Sequence, residues 1–456
     1  MNSIFSYLTL LGAFSIFIAL QYSAHSSKLP SFLRNDGNTK VYELGLATAS
    51  HWMFAIAIFF GTGIAYKFGY IGLLYFTVPN VLSLVWMGMI ASKARKKDKT
   101  SNSLIEFIKK NCSKRVSYFF QLELIILALS ALTLTFIAIK KVYVYSGLEA
   151  EIGVSQNIII FIVLIFTLVQ ALSGGIKTSI VSGTLQGILW LIFSAILLSL
   201  LFSNNELSIS ASTGTKNITS LFDPSFLKTF GIFTAISLTV GATSHGSLWM
   251  KTYSRRNPNQ HKSYYIAAVV FGIILLALSL ASLSYVSYDN SLKDVQTSVV
   301  KAVELIGGKT LLSFFILLVI FHSSSLIDAY CNFCSNLISV DNKFLDKDSN
   351  IFKVKIFTAV MILGAYSLFL TGISIWMVFG IMSIARIVNF FPLIHICYAK
   401  KINEPAIFKL ILVSLVICFG LFFYGKISKV SDYVMWSGVL AFFLPLITLQ
   451  FIKKTR

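Results

Sequence analysis

The chain has 456 residues, of which 56% are hydrophobic and only 12% are charged. A soluble domain carries about 25% charged residues, so this composition excludes a soluble enzyme and a disordered chain. The apolar runs are continuous and do not alternate with polar residues, which excludes an outer-membrane barrel. The net charge of +20 is explained by Lys and Arg in cytoplasmic loops, and no nucleic-acid partner is predicted.

Apolar stretches of membrane-spanning length follow one another along nearly the whole chain. About 20 apolar residues are needed for a transmembrane helix, and the sequence predicts thirteen such spans. The first is predicted to be a retained span and not a cleaved signal peptide. The predicted spans are 3–22, 43–66, 70–92, 117–139, 154–173, 179–202, 228–250, 264–287, 310–338, 352–371, 374–398, 406–425 and 433–452.

The distribution of basic residues predicts the orientation of these spans. Lys and Arg are concentrated in segment 93–115, and the chain ends on Lys453, Lys454 and Arg456. Because basic residues favour the cytoplasmic side, we expect the N-terminus outside and the C-terminus in the cytoplasm. The sequence therefore predicts a multi-pass protein of the cell's inner (plasma) membrane, with the lipid bilayer as its surroundings.

Two spans carry small and polar residues in their middle, at 47–52 and at 239–247. Interrupted helices at membrane depth are tolerated where they line a cavity, and they often mark a transporter's binding site. The alternative is that these residues only let helices pack closely. Counting five spans from each of these two interrupted spans divides the core into two units of opposite orientation, which is typical of an inverted repeat. The predicted divisions are 1–42 (peripheral helix and inner loop), 43–202 (first repeat), 203–227 (outer loop), 228–398 (second repeat) and 399–456 (two peripheral helices).

Three motifs occur in the order found in one family of membrane proteins. Gly63, Tyr66 and Gly69 form a G-x-x-Y-x-x-G, and segment 174–186 runs from a double glycine to Gln186. Segment 323–341 begins with three serines and contains Asp328. Together these motifs resemble the sodium/solute symporter family, which includes the proline permeases and the sodium–glucose cotransporters.

The resemblance implies an all-α membrane protein with a LeuT-type inverted repeat and cation-coupled uptake. It also implies a sodium site between the first and eighth core helices. Its ligands would be the carbonyls of Ser50 and Met53, the carbonyl of Phe321, and the hydroxyls of Ser324 and Ser325. If the family motif on the eighth core helix is aligned one residue later, the candidates become the His322 carbonyl, Ser325 and Leu326. Ser325 is therefore a candidate in both alignments, which we call registers.

The sequence departs from the family pattern at several positions. Gly183 replaces an Asp, and His245 replaces an acidic or amide residue, which lowers the negative charge near the inward ion path. Coupling to protons, or no coupling, therefore stays open beside sodium. Ala57, Phe76 and Leu238 stand where sugar-contacting polar residues would align, so a sugar is a poor candidate substrate.

Ionisable side chains at membrane depth are expensive, and each is a functional hypothesis. His51 and Trp52 lie at the first predicted interruption and are candidate substrate contacts. Arg386 is a candidate contact for a substrate carboxylate, because its guanidinium can pair with both oxygens. The alternatives are packing roles for His51 and Trp52 and an internal ion pair of Arg386 with Glu123 or Asp328. Three residues are candidates for an ion exit path or for coupling: Asp328, His322 and His245.

The sequence as a whole favours a secondary active transporter that imports a small polar organic solute by alternating access. Sodium is the predicted coupling ion, and the resemblance implies no other cofactor. The alternatives are a proton-coupled or uncoupled transporter of the same fold and a transporter-derived membrane sensor. No constellation of nucleophile and base indicates covalent catalysis, so we do not predict an enzyme.

Overall fold

A computed structural model of the protein describes residues 39–53, 55–101, 103–203, 214–339, 350–399 and 402–454. The regular structure in these ranges is almost entirely helical, which confirms the predicted fold class. Nine helices within them are long and apolar enough to cross a membrane. The predicted first span, 3–22, lies outside the described residues, and the total of thirteen spans stays a prediction.

The helices follow the predicted spans with small shifts at their ends. They are α1 (Val41–Trp52), α2 (Ala55–Lys97), α3 (Leu104–Asn111), α4 (Lys114–Tyr145), α5 (Leu148–Ile152), α6 (Gln156–Ser203), α7 (Pro224–Phe226), α8 (Ile232–Val240), α9 (Gly246–Tyr253), α10 (His261–Tyr288), α11 (Ser298–Ser339), α12 (Asn350–Leu370), α13 (Ile375–Tyr398), α14 (Glu404–Ser428) and α15 (Ser431–Lys454). A π-helical turn, Leu227–Gly231, joins α7 to α8, so this span begins at Pro224 and not at 228.

Three of the helices contain a kink at one glycine. Gly69, Gly175 and Gly308 have φ angles of 65°, 67° and 64°. This left-handed region is open to glycine because it lacks a Cβ atom. Gly69 separates the predicted spans 43–66 and 70–92. Gly175 separates 154–173 from 179–202, so the predicted five-residue gap there contracts to a single kinked residue.

Both predicted helix interruptions are present, although the first is displaced. Segment 47–52 is itself helical, and α1 ends after it, at Trp52. The side chains of Ser50 and His51 in this segment bond to Gln186 and Ser247 on other helices, and the α1 backbone stays intact. The second interruption falls within 239–247, as predicted. A 3₁₀ turn, Gly241–Ser244, is followed by His245 in an extended conformation before α9 begins.

α1 lies among α6, α9, α10 and α11, at the centre of the bundle. Two glycines of α6 let it come close to the α1 backbone. A Cβ atom on Gly183 would lie 3.2 Å from the Ala47 Cα, and one on Gly187 would lie 2.9 Å from the Leu46 carbonyl oxygen. Small residues four apart are a common device for close helix packing in membranes. The glycine at 183 therefore has a packing reason in this chain.

Replacing Gly183 by the family's aspartate should destabilise the protein. The new side chain would press on the α1 backbone, and overpacking of this kind costs about 1–3 kcal/mol. Thermal unfolding in detergent measures the effect, with Gly420→Ala as a control because open space surrounds Gly420. A Gly183→Asp protein as stable as the wild type would show that the contact between α6 and α1 is loose.

Candidate functional site

The two interruptions meet in the middle of the bundle. The Trp52 and His245 rings lie 5.5 Å apart, and a hydrogen bond joins His51 Nε2 to the Ser247 hydroxyl. Lys251 Nζ donates to the Ala47 carbonyl at 2.7 Å. The end of α1 and the start of α9 are therefore connected by side chains from both.

A buried hydrogen-bonded chain extends from this junction to α11. His245 Nδ1 lies 3.0 Å from the Ser247 hydroxyl, and His245 Nε2 lies 2.6 Å from the Tyr330 hydroxyl. The His51 and Tyr330 rings are 5.6 Å apart. His51 and His245, predicted for different roles, thus belong to one cluster. Tyr330 carried no sequence signal, because its role depends on which face α11 turns toward α9.

A largely apolar cavity adjoins the same junction. Ala57, Phe76 and Leu238, the residues at the aligned sugar-contacting positions, all line it. The Phe60 ring of α2 packs against the start of α13, where it lies 4.7 Å from the Trp376 ring and 5.3 Å from the Phe379 ring. The full lining consists of Trp52, Ala57, Phe60, Phe76, Asn80, Leu134, Leu238, Ile375, Phe379, Met382 and Arg386.

Arg386 is the charged residue in this lining. It is 3% exposed, and its guanidinium carbon lies 6.0 Å from the Trp52 ring centroid. Its Nη2 contacts the Met382 Sδ at 2.7 Å, and its Nε has no hydrogen-bond partner. Among the described residues no carboxylate lies within ion-pair distance of it, so neither Glu123 nor Asp328 forms the alternative internal pair. The cavity therefore has an uncompensated cation in its wall.

The residues predicted to bind sodium lie where α1 meets α11, and Gln186 connects them. The Ser50 hydroxyl donates to Gln186 Oε1 at 2.9 Å, and Gln186 Nε2 donates to the Phe321 carbonyl at 2.8 Å. His322 Nδ1 lies 3.5 Å from the Ser50 hydroxyl. Gln186 belongs to a motif visible in the sequence, but its bridging role required the contact between helices.

The rotation of α11 places candidates of both predicted registers beside α1 and α6. His322 faces α1, and Ser325, one turn further on, shares that face and lies 3.4 Å from the Ser182 hydroxyl of α6. Ser324 is turned about 200° from His322 and is partly exposed. Ser325 belongs to both registers; the earlier one adds the Phe321 carbonyl and Ser324, and the later one adds the His322 carbonyl and Leu326, which offers no side-chain oxygen.

Asp328 belongs to a third buried group. It is 0% exposed, accepts a hydrogen bond from Asn332 Nδ2 at 3.1 Å, and lies beside the Ser179 hydroxyl. Lys251, 1% exposed, acts on it electrostatically, although the two side chains do not come within ion-pair distance of each other. The three predicted path residues, Asp328, His322 and His245, therefore occupy three separate groups of contacts.

Comparison with solved structures identifies this arrangement. A Na⁺-coupled sialic acid symporter in a substrate-bound, outward-open state has a TM-score of 0.75 at 13% identity, covering 98% of this chain and 96% of that one. A nucleobase-cation-symport-1 family transporter with bromovinylhydantoin bound has a TM-score of 0.58 at 13% identity, covering 94% and 97%. MhsT in complex with L-phenylalanine has a TM-score of 0.54 at 13% identity, covering 91% and 98%.

No protein-family model and no curated protein matches the sequence. At 13% identity the similarity to solved structures concerns the fold, and it extends over nearly the full length of each chain. The protein therefore has the LeuT-type fold, with two interrupted helices meeting beside a cavity, and it spans the membrane several times.

Proposed function

We propose that the protein is a symporter-type secondary transporter of the plasma membrane, which imports a small organic solute bearing a carboxylate. In alternating access, the interrupted helices would carry the solute site, and one part of the bundle would rock against the rest. The N-terminus would lie outside and the C-terminus in the cytoplasm. The solved structures of similar fold are named as symporters or as complexes with small ligands, which supports this function class.

The observation that carries the proposal is the Arg386 guanidinium beside the cavity. A buried charge without a partner is unfavourable, and a carboxylate would supply both its counter-charge and two hydrogen bonds. His51 and Trp52 lie next to this position, at the end of α1. They would help to shape the site, His51 through Ser247 and Trp52 through its ring under Arg386.

A screen of matched solute pairs tests this function. Each carboxylate is compared with its neutral amide for stabilisation of the purified protein, and the stabilising solutes are then tested for uptake into proteoliposomes. We expect acids to stabilise and their amides not to, because the amide has no charge for Arg386. Stabilisation only by neutral solutes would contradict the proposal, and binding without uptake would favour a membrane sensor.

Sodium is the coupling ion in this proposal. The carbonyls at the end of α1, including those of Ser50 and Met53, carry the negative end of the helix dipole, and Ser325 on α11 would add its hydroxyl to them. A hard cation would find oxygen ligands there, with the Phe321 or the His322 carbonyl completing the set according to the register.

A second candidate, coupling without sodium, rests on His322. Its imidazole lies next to the Ser50 hydroxyl and the Met53 carbonyl, where the ion would sit. A ring that remains there would leave no room for a cation. The protein would then be proton-coupled or uncoupled, with the same fold and the same solute site.

Thermal stability in matched NaCl, KCl and choline chloride separates these two candidates. An ion that binds only the folded protein raises the free energy of unfolding by about 2.7 kcal/mol when its concentration is a hundred times its Kd. If sodium couples, we expect a sodium-specific rise in the wild type that Ser325→Ala abolishes. If His322 occupies the site, the wild type will not respond, and His322→Ala will acquire the sodium-specific rise.

A further inference from the structure

We infer that the solute is a monocarboxylate with an apolar body and without an ammonium group, an arylalkanoic acid being the simplest example. This inference rests on the proposed function and narrows its substrate class. The apolar surface of the cavity, its single charge and the state of the carbonyls at the helix interruptions each support it.

The apolar part of the cavity determines what body the solute can have. Trp52, Phe60, Phe76 and Phe379 contribute aromatic rings, and Leu238 closes one side. A buried hydroxyl without a hydrogen-bond partner is unfavourable, so these walls disfavour a polyhydroxylated body. An aromatic or branched aliphatic body would instead replace water along them.

The charges of the lining determine what the solute carries. Arg386 is a single cation, and no acidic residue is among the lining residues. Asn80 is the other polar side chain, and its amide nitrogen already donates to the Phe76 carbonyl at 2.8 Å. One guanidinium balances one carboxylate, so a dicarboxylate would have a second charge without a counter-ion.

An ammonium group would need a counter-charge as well as acceptors, and the cavity lining contains no carboxylate, while three carbonyls near the interruptions already have donors. Lys251 Nζ donates to the Ala47 carbonyl at 2.7 Å. Trp249 Nε1 donates to the Thr243 carbonyl at 2.6 Å, and the Thr243 hydroxyl donates to the Val240 carbonyl at 2.7 Å. The lining thus gives a zwitterion's amine no negative partner, and the chain's own donors already occupy these three nearby oxygens.

Four probes separate these features, measured as the concentration that gives half-maximal thermal stabilisation of the full-length protein. 3-Phenylpropanoate has the predicted chemistry, L-phenylalanine adds the ammonium, 3-phenylpropanamide removes the charge, and gluconate has a polyhydroxylated body. We expect 3-phenylpropanoate to bind at least about tenfold more tightly than each of the others, because each of them buries an unpaired polar group or lacks the charge. Leu238→Ser should narrow the gap between gluconate and 3-phenylpropanoate, whereas Lys262→Met, at an exposed position of α10, should leave the order unchanged.

The outcomes distinguish this inference from the proposed function. Binding of L-phenylalanine or gluconate as tight as that of 3-phenylpropanoate overturns the inference, while a carboxylate-bearing solute still stands. No stabilisation by 3-phenylpropanoate at 10 mM, roughly the weakest affinity worth testing for a solute of its size, also overturns it. Equal binding of the acid and its amide overturns both, because Arg386 would then not recognise charge.

Discussion

Replacing Arg386 by glutamine should weaken the binding of carboxylate solutes by about 30-fold or more, because truncating one partner of a buried charge pair costs roughly 2–5 kcal/mol. The unliganded protein should be as stable as the wild type, or more stable. Glutamine removes a buried cation that has no carboxylate partner in the described part of the chain. Ligand titrations and thermal unfolding on the same preparation measure both effects.

The matched variant Arg386→Lys keeps the charge and loses the planar fork that binds both carboxylate oxygens. We expect its affinity to lie between those of wild type and Arg386→Gln. Arg256→Gln, at an exposed position, controls for a general loss of positive charge and should bind as the wild type does. A large fall in unliganded stability of Arg386→Gln, with unchanged ligand affinity, would show that Arg386 has a packing role.

Replacing Lys251 by methionine should destabilise the protein by about 1–3 kcal/mol, the usual cost of removing one partner of a buried hydrogen bond. Methionine fills similar space but leaves the Ala47 carbonyl without its donor, and it removes a positive charge that acts on Asp328 from a distance. Because Lys251 joins α9 to α1, the loss should also loosen the junction of the two interrupted helices. Thermal unfolding in detergent provides the measurement.

The double variant Lys251→Met with Asp328→Asn tests whether the two charges act as a pair. Removing both should recover part of the stability lost in each single variant, since no buried charge is then left alone. Strictly additive losses would mean that Lys251 and Asp328 act independently. Lys262→Met, on the exposed side of α10, controls for the loss of a lysine.

The sequence predicted the features that depend on local chemistry. Small and polar residues within apolar spans indicated both interruptions, and the predicted gaps between spans, 67–69 and 174–178, contain the kinked glycines Gly69 and Gly175. Arg386 stood out because an arginine within an apolar span needs an explanation at membrane depth. These signals can be recognised in the sequence alone, because the free-energy cost of a charge or an unpaired backbone group in lipid does not depend on the neighbouring helices.

The parts that the sequence left open depend on how the helices are rotated against one another. The choice between Ser324 and Leu326 is one of these, because it depends on which face α11 turns toward a bound ion. Gln186 and Tyr330 became site residues only when they met Ser50 and His245. The first interruption was displaced because Ser50 and its neighbours bond to other helices. A one-dimensional pattern cannot supply such contacts.

Uptake of radiolabelled 3-phenylpropanoate into proteoliposomes at pH 8 tests the central claim most directly. At this pH the acid is ionised, so it crosses a lipid bilayer slowly without a protein. Protein-free liposomes measure this passive entry. We predict saturable uptake by the wild type that Arg386→Gln reduces to the protein-free level and Arg256→Gln leaves unchanged. Uptake by Arg386→Gln equal to that of the wild type would contradict a carboxylate site at this cavity.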